Sequence, residues 1–89
     1  MEFNVVVRVR IMPSRIDVDL EKIKGRLTEI INEFGRLKRI ETKPVAFGLN
    51  SLEAILLLDD SKGGIDRIES RVLGIDGVGK FDVLDISRI

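Results

Sequence analysis

From Phe3 to Met12 the chain alternates: Phe3, Val5, Val7, Val9 and Ile11 share one parity, and Asn4, Val6, Arg8, Arg10 and Met12 the other. Period-two spacing with this β-branched content predicts a strand with one face buried and a second, mixed face at least partly wet. Met12-Pro13-Ser14-Arg15 ends it, because proline lacks an amide donor and restricts the residue before it. The period then changes. Leu20, Ile23, Leu27, Ile30, Ile31 and Phe34 form the apolar stripe of an amphipathic helix. Asp19 suits its N-cap, Glu21 its first turn, and Gly35 the position just past its end. Glu21–Lys24 and Arg26–Glu29 have the spacing of surface ion pairs along it.

Arg36 to Lys43 is mostly charged, and its two apolar residues, Leu37 and Ile40, differ in parity. A charged strand suits a sheet edge, where it discourages pairing with other chains, and the parity slip suits a bulge. Lys43-Pro44-Val45-Ala46-Phe47-Gly48-Leu49-Asn50-Ser51 then reads as an oddly apolar connection, since loops normally lie in water. Leu52 to Leu58 is apolar apart from Glu53 and predicts a central strand. Asp59-Asp60-Ser61-Lys62-Gly63-Gly64 is a loop. Ile65, Ile68, Val72 and Leu73 give a shorter helix, with Asp66 and Glu69 near its positive end. Gly74-Ile75-Asp76-Gly77 turns the chain, and Val78 to Ile86, dotted with Asp82 and Asp85, is a last strand and a second edge candidate.

Strand, helix, strand, strand, helix, strand in this length is the α+β, ferredoxin-like βαββαβ arrangement, expected as one domain spanning residues 1–89. It predicts a four-stranded antiparallel sheet with the first and third strands inside and both helices on one face. The opposite face is left uncovered and open to a partner. Hydrophobic residues make up 44% and charged residues 34%, a globular balance rather than a disordered one. Apolar runs such as Ala54 to Leu58 are too short to span a bilayer, and the opening residues do not read as a signal peptide, so the cytoplasm is expected. Fifteen basic and fifteen acidic residues cancel, which gives no net field toward nucleic acid or membrane.

The chain has no Cys and no His, which excludes disulfides, thiolate nucleophiles, Ser-His-Asp triads and the usual zinc sites. RNA binding on such a sheet needs aromatic residues on the central strands, and the third strand has none. Gly63-Gly64 before a helix could approach a phosphate, but the Gly-Lys-Ser/Thr ending of a phosphate loop is absent; a helix-opening turn is the simpler reading. Asp59-Asp60 lacks further ligands at loop spacing. Arg15 and Asn50 stand loosely where small acyl-phosphate hydrolases of this topology keep an arginine and an asparagine. The glycine-rich loop around that arginine is missing. No cofactor and no covalent catalysis is implied.

Phe47 has two readings: a hairpin residue folded onto the core, or an exposed aromatic, held by flanking Pro44 and Gly48, that enters a partner's pocket. Arg88 is either a solvated, frayed terminal residue or a contact. The Met12-Pro13 strand end, Asp17-Val18-Asp19-Leu20-Glu21, Lys43-Pro44-Val45-Ala46-Phe47-Gly48-Leu49, Gly63-Gly64, Gly74-Ile75-Asp76-Gly77-Val78 and the basic residue one from the C-terminus together resemble the archaeal translation elongation factor 1-beta family. The resemblance covers nearly the whole chain, and its most specific part is Pro44 to Leu49. It implies a guanine-nucleotide exchange factor that releases GDP from the GTPase elongation factor 1-alpha during translation elongation. The alternative is a ferredoxin-like regulatory or protein-binding module without exchange activity.

By the same resemblance, Phe47 with Gly48 contacts the GTPase, and Arg88 corresponds to a basic residue that reaches toward the magnesium site. Eukaryotic relatives have lysine there. The larger, planar guanidinium of Arg88 leaves two targets open, the metal site or carboxylates and phosphate of the partner. Lys43 is an expected rim contact, while Pro44, Val45 and Leu49 are expected to hold Phe47 in place.

Overall fold

A computed structural model of the chain describes residues 3–59 and 64–89. Its elements are β1 (Val5–Pro13), α1 (Leu20–Phe34), β2 (Gly35–Ala46), β3 (Leu49–Leu58), α2 (Ile65–Leu73) and β4 (Val78–Arg88). The four strands form one antiparallel sheet in the order β2-β3-β1-β4. The two most apolar strands are therefore central and the two most charged are the edges, as the sequence pattern predicts.

Alternation decides which face is buried. Val5, Val7, Val9 and Ile11 of β1 and Leu52, Ala54, Leu56 and Leu58 of β3 all lie in the core, with Ile23, Leu27, Ile30, Ile31 and Phe34 of α1 and Ile68 and Val72 of α2. Both helices thus cover the same sheet face. The residues of opposite parity form the other, open face, where Arg10 meets Glu53 at 3.3 Å. The helices are tied at their outer surfaces by a two-pronged pair, Arg71 to Glu33 at 3.2 and 2.8 Å. The hydrogen bond and charge of Arg71 hold the exposed Glu33 carboxyl below its ordinary range.

Helix α1 starts as its sequence dictates, with the Asp19 carboxylate accepting from the Glu21 amide at 3.0 Å. Its end differs from expectation. Gly35 takes extended backbone (φ −175°), not a left-handed cap, because β2 begins at that residue. A glycine is required by space: a Cβ there would overlap the carbonyl oxygen of Leu57 and sit 2.9 Å from Leu58 Cδ2 on neighbouring β3. The parity slip in β2 is a bulge, with the register shifting between Leu37 and Arg39. Strand β4 is also irregular, shifting where it passes Arg8 and Val9 of β1.

Two strands run further than their patterns suggest. Strand β2 continues through Pro44 to Ala46, so most of the apolar connection is strand and only Phe47-Gly48 turns. An edge strand tolerates Pro44, since one side of its backbone has no ladder to donate to. Strand β4 continues to Arg88, which lies opposite Val5, and the Ile89 amide donates to Asn4 at 3.1 Å. Replacing Gly35 by alanine must push β3 away or distort the α1–β2 junction. We expect Gly35→Ala to lose about 2–3 kcal/mol, read as a fall of roughly 10 °C or more in Tm; an unchanged unfolding midpoint would refute the close-approach argument.

Candidate functional site

The hairpin between β2 and β3 is closed by two residues, with Ala46 opposite Leu49 across the turn. Phe47 has φ +53° and Gly48 φ +79°. Positive φ at both central positions marks the type I′ turn, whose twist matches that of the flanking strands. Glycine accepts this backbone readily. Phenylalanine does not, and among the described residues Phe47 is the one non-glycine with positive φ. Such a conformation costs on the order of 1 kcal/mol or more and tends to persist at functional positions.

The side chain carried on this strained backbone is fully in water. Phe47 is 101% exposed, which removes the reading of it as a core residue. The expected support for it is also different. Val45 is itself 50% exposed, and Pro44 is exposed as well. Val45 falls in a second bulge, between Pro44 opposite Asn50 and Ala46 opposite Leu49, and so has no cross-strand partner. The turn geometry and the Ala46–Leu49 closure define the tip, and Ile16 lies beside it, its Cδ1 3.3 Å from where a Cβ of Gly48 would be. Ile16 is 67% exposed and stands in the loop after β1. An isolated isoleucine between Arg15 and Asp17, outside any periodic pattern, was the available signal for it.

The four candidate residues do not form one site. Phe47 and Gly48 are at the hairpin tip, and Lys43 is further back on β2, where its ammonium meets Glu41 at 3.3 Å. Glu41 is also paired by Arg39, and the Lys43 hydrogen bond and the Arg39 charge hold its carboxyl below the ordinary range. Arg88 is at the far end of the sheet. From Arg88, opposite Val5, six residues along β1 lead to Ile11, and three more along β3 from Leu52 reach the turn. At about 3.3 Å per residue that is roughly 30 Å, most of the 39 Å long axis. Any partner touching both must span the sheet.

The arrangements considered for other chemistry do not converge. Arg15 pairs with Asp17 at 3.2 Å, and the Ser14 amide donates to Gly77 at 2.8 Å instead of facing an anion. Asn50 lies opposite Pro44 in the hairpin. Gly64 caps α2 without a side-chain bond, while Asp60 and Gly63 lie outside the described residues. A cleft of about 300 Å³ on the open face is lined by Arg8, Arg39, Glu41, Lys43, Glu53 and Ile55. Glu41 takes two of its cations, and Glu53 is held by Arg10. Among the described residues, no three His, Cys, Asp or Glu side chains group as a metal site needs, and no helix is long and apolar enough to cross a membrane.

Comparison with known proteins adds the family. Residues 6–89 match the family model of the EF-1 guanine nucleotide exchange domain. Elongation factor 1-beta of Methanothermobacter thermautotrophicus is 37% identical over 86 residues, covering 97% of each chain. Elongation factor 1-beta of Natronomonas pharaonis is 34% identical, covering 97% of this chain and 98% of its own. Among solved structures, the C-terminal domain of the MgtC protein from Mycobacterium tuberculosis superposes with a TM-score of 0.63 at 17% identity. That match covers 99% of this chain and 90% of the other, and it speaks to the fold alone. Matched along nearly its whole length by both the domain model and these relatives, the chain belongs to the elongation factor 1-beta family of EF-1 guanine nucleotide exchange domains.

Proposed function

We propose that the chain binds elongation factor 1-alpha and promotes release of its GDP so that GTP can bind. The observation that carries this reading is Phe47, a fully exposed aromatic held on a backbone that phenylalanine adopts only at a cost. Exposure without packing and strain without local gain are what a preorganised anchor for a partner's pocket would show. Exchange needs no covalent step, which suits a chain without cysteine or histidine. The factor binds the nucleotide-free GTPase more tightly than the GDP-bound form, and by linkage GDP and the factor weaken each other equally.

The two ends of the sheet divide the work. Phe47 docks, with Gly48 providing the turn and Lys43 standing at the rim. Arg88, roughly 30 Å away by the strand count above, acts where the nucleotide's phosphates and magnesium are held. Its charge either competes at the metal position or pairs with carboxylates exposed as the metal leaves. The decisive assay loads elongation factor 1-alpha with fluorescent GDP and follows its dissociation after adding this protein and excess unlabelled nucleotide. Acceleration at micromolar protein is expected; none would leave a binding module without exchange activity.

Phe47→Ala should slow exchange at sub-saturating factor by roughly tenfold to a hundredfold. Its stability should stay within about 0.5 kcal/mol of wild type, since alanine carries a similar positive-φ penalty and the lost ring was in water. Phe47→Gly should be as defective in exchange yet more stable by about 0.5–1 kcal/mol, because glycine relieves the strain. A large fall in Tm for either variant would contradict the anchor reading. For Arg88→Ala we expect the maximal rate of GDP release to fall about tenfold while the dissociation constant of the complex changes less than threefold. Equal maximal rates would remove Arg88 from the mechanism.

A further inference from the structure

Three apolar side chains stand exposed at the hairpin end of the sheet, and three different backbone features put them there. Phe47 is raised by the positive-φ turn. Val45 is left without a cross-strand partner by the bulge between Pro44 and Ala46. Ile16 comes from the loop after β1 and closes against Gly48. None of the three belongs to the buried core or packs against it. Burying any of them within the protein would stabilise the fold, so their common exposure at one end points outward.

We propose that Ile16 and Val45 join Phe47 in one composite docking surface that seats in an apolar pocket of the GTPase. This rests on the exchange reading above and adds two residues to its anchor. The chemistry of the rim selects an apolar, uncharged socket. Arg15, next to Ile16, pairs with Asp17 at 3.2 Å, and Lys43, two residues from Val45, pairs with Glu41 at 3.3 Å. Among the described residues, these opposed pairs beside the tip do not make the basic patch that a phosphate backbone or an anionic membrane surface would need. A symmetric pair of copies is a poor fit, because a self-complementary contact would set one protruding tip against another with no cavity between them. Gly48 takes part by its lack of a side chain: a Cβ there would crowd Ile16 Cδ1, so glycine lets the isoleucine sit against the turn.

Docking and acting on the nucleotide separate kinetically, and the test uses that. GDP release from elongation factor 1-alpha is measured against concentration of wild type, Ile16→Ser, Val45→Thr, the double variant and Ile16→Leu, with Tm recorded for each. The exposed positions should leave Tm unchanged. Each polar variant should raise the half-saturating concentration roughly fivefold to tenfold, and the double variant more, with maximal rates within about twofold of wild type. Ile16→Leu should behave as wild type. A double variant with wild-type half-saturation, or one that loses maximal rate instead, overturns the composite surface while leaving exchange intact. A wild-type protein that neither accelerates release nor binds the GTPase overturns both readings. Self-association in sedimentation equilibrium that disappears in Ile16→Ser would assign the tip to a second copy and overturn this proposal.

Discussion

The antiparallel pairing of β1 with β3, running from Val5 against Leu58 to Ile11 against Leu52, is the constraint on which the other parts depend. In that register alternate residues of both strands point to one side, and no shift by a single residue keeps them there. The buried row gives both helices a single apolar surface to cover, so their stripes need match nothing else. It also consigns β2 and β4 to the edges, where charge is an asset. Gly35 is the clearest sign of how closely the pieces fit. The chain passes from α1 into β2 with no connecting loop, over the Leu57 carbonyl, and only a residue without a Cβ passes there.

The same pairing sets where the two proposed contact points lie. Because β1 is antiparallel to both of its neighbours, the β2–β3 turn emerges at the end where β1 finishes, and the end of β4 returns to where β1 begins. Phe47 and Arg88 are therefore held apart by the length of the strands. A sheet hydrogen-bonded along that length is a stiff spacer. The separation of the two backbone positions is set by the length of the paired strands.

Much of this was legible in the residues. Period two in β1, the 3.6-residue stripe in α1, the parity slip at Leu37 and Ile40, and the Asp19 cap each have a local cause that reads directly from sequence. The extents of β2 and β4 did not read, because their final residues are held by backbone pairing with a neighbour and not by an apolar pattern of their own. Pro44 looked like a break, yet an edge strand has one side on which a missing donor costs nothing. Gly35 looked like a helix cap, and its true reason is the close approach of Leu57 and Leu58, more than twenty residues on. For Phe47 the motif was visible but its exposure was not: type and spacing cannot say whether an aromatic at a turn folds inward or outward. Val45 misled for a similar reason, since a bulge changes which side a residue faces without changing its identity.

On the proposed anchor reading, the tip gives up local stability for a contact. A glycine at position 47 would suit the turn better, and polar residues at 16 and 45 would suit water better. Each departure costs on the order of 1 kcal/mol against a total of roughly 5–15 kcal/mol. The hairpin tolerates this because it is anchored behind the turn by the β2–β3 ladder, whose pairs run unbroken from Ile40 opposite Ala54 to Pro44 opposite Asn50. Strain placed on a rigid ladder is preorganisation: the ring is already oriented, and binding need not order it. On a mobile loop the same residues would have to be ordered at the moment of contact. The rigidity of the ladder and the exposure of the tip are the two things the proposed anchor requires, and both occur at the end of the sheet where Phe47 stands.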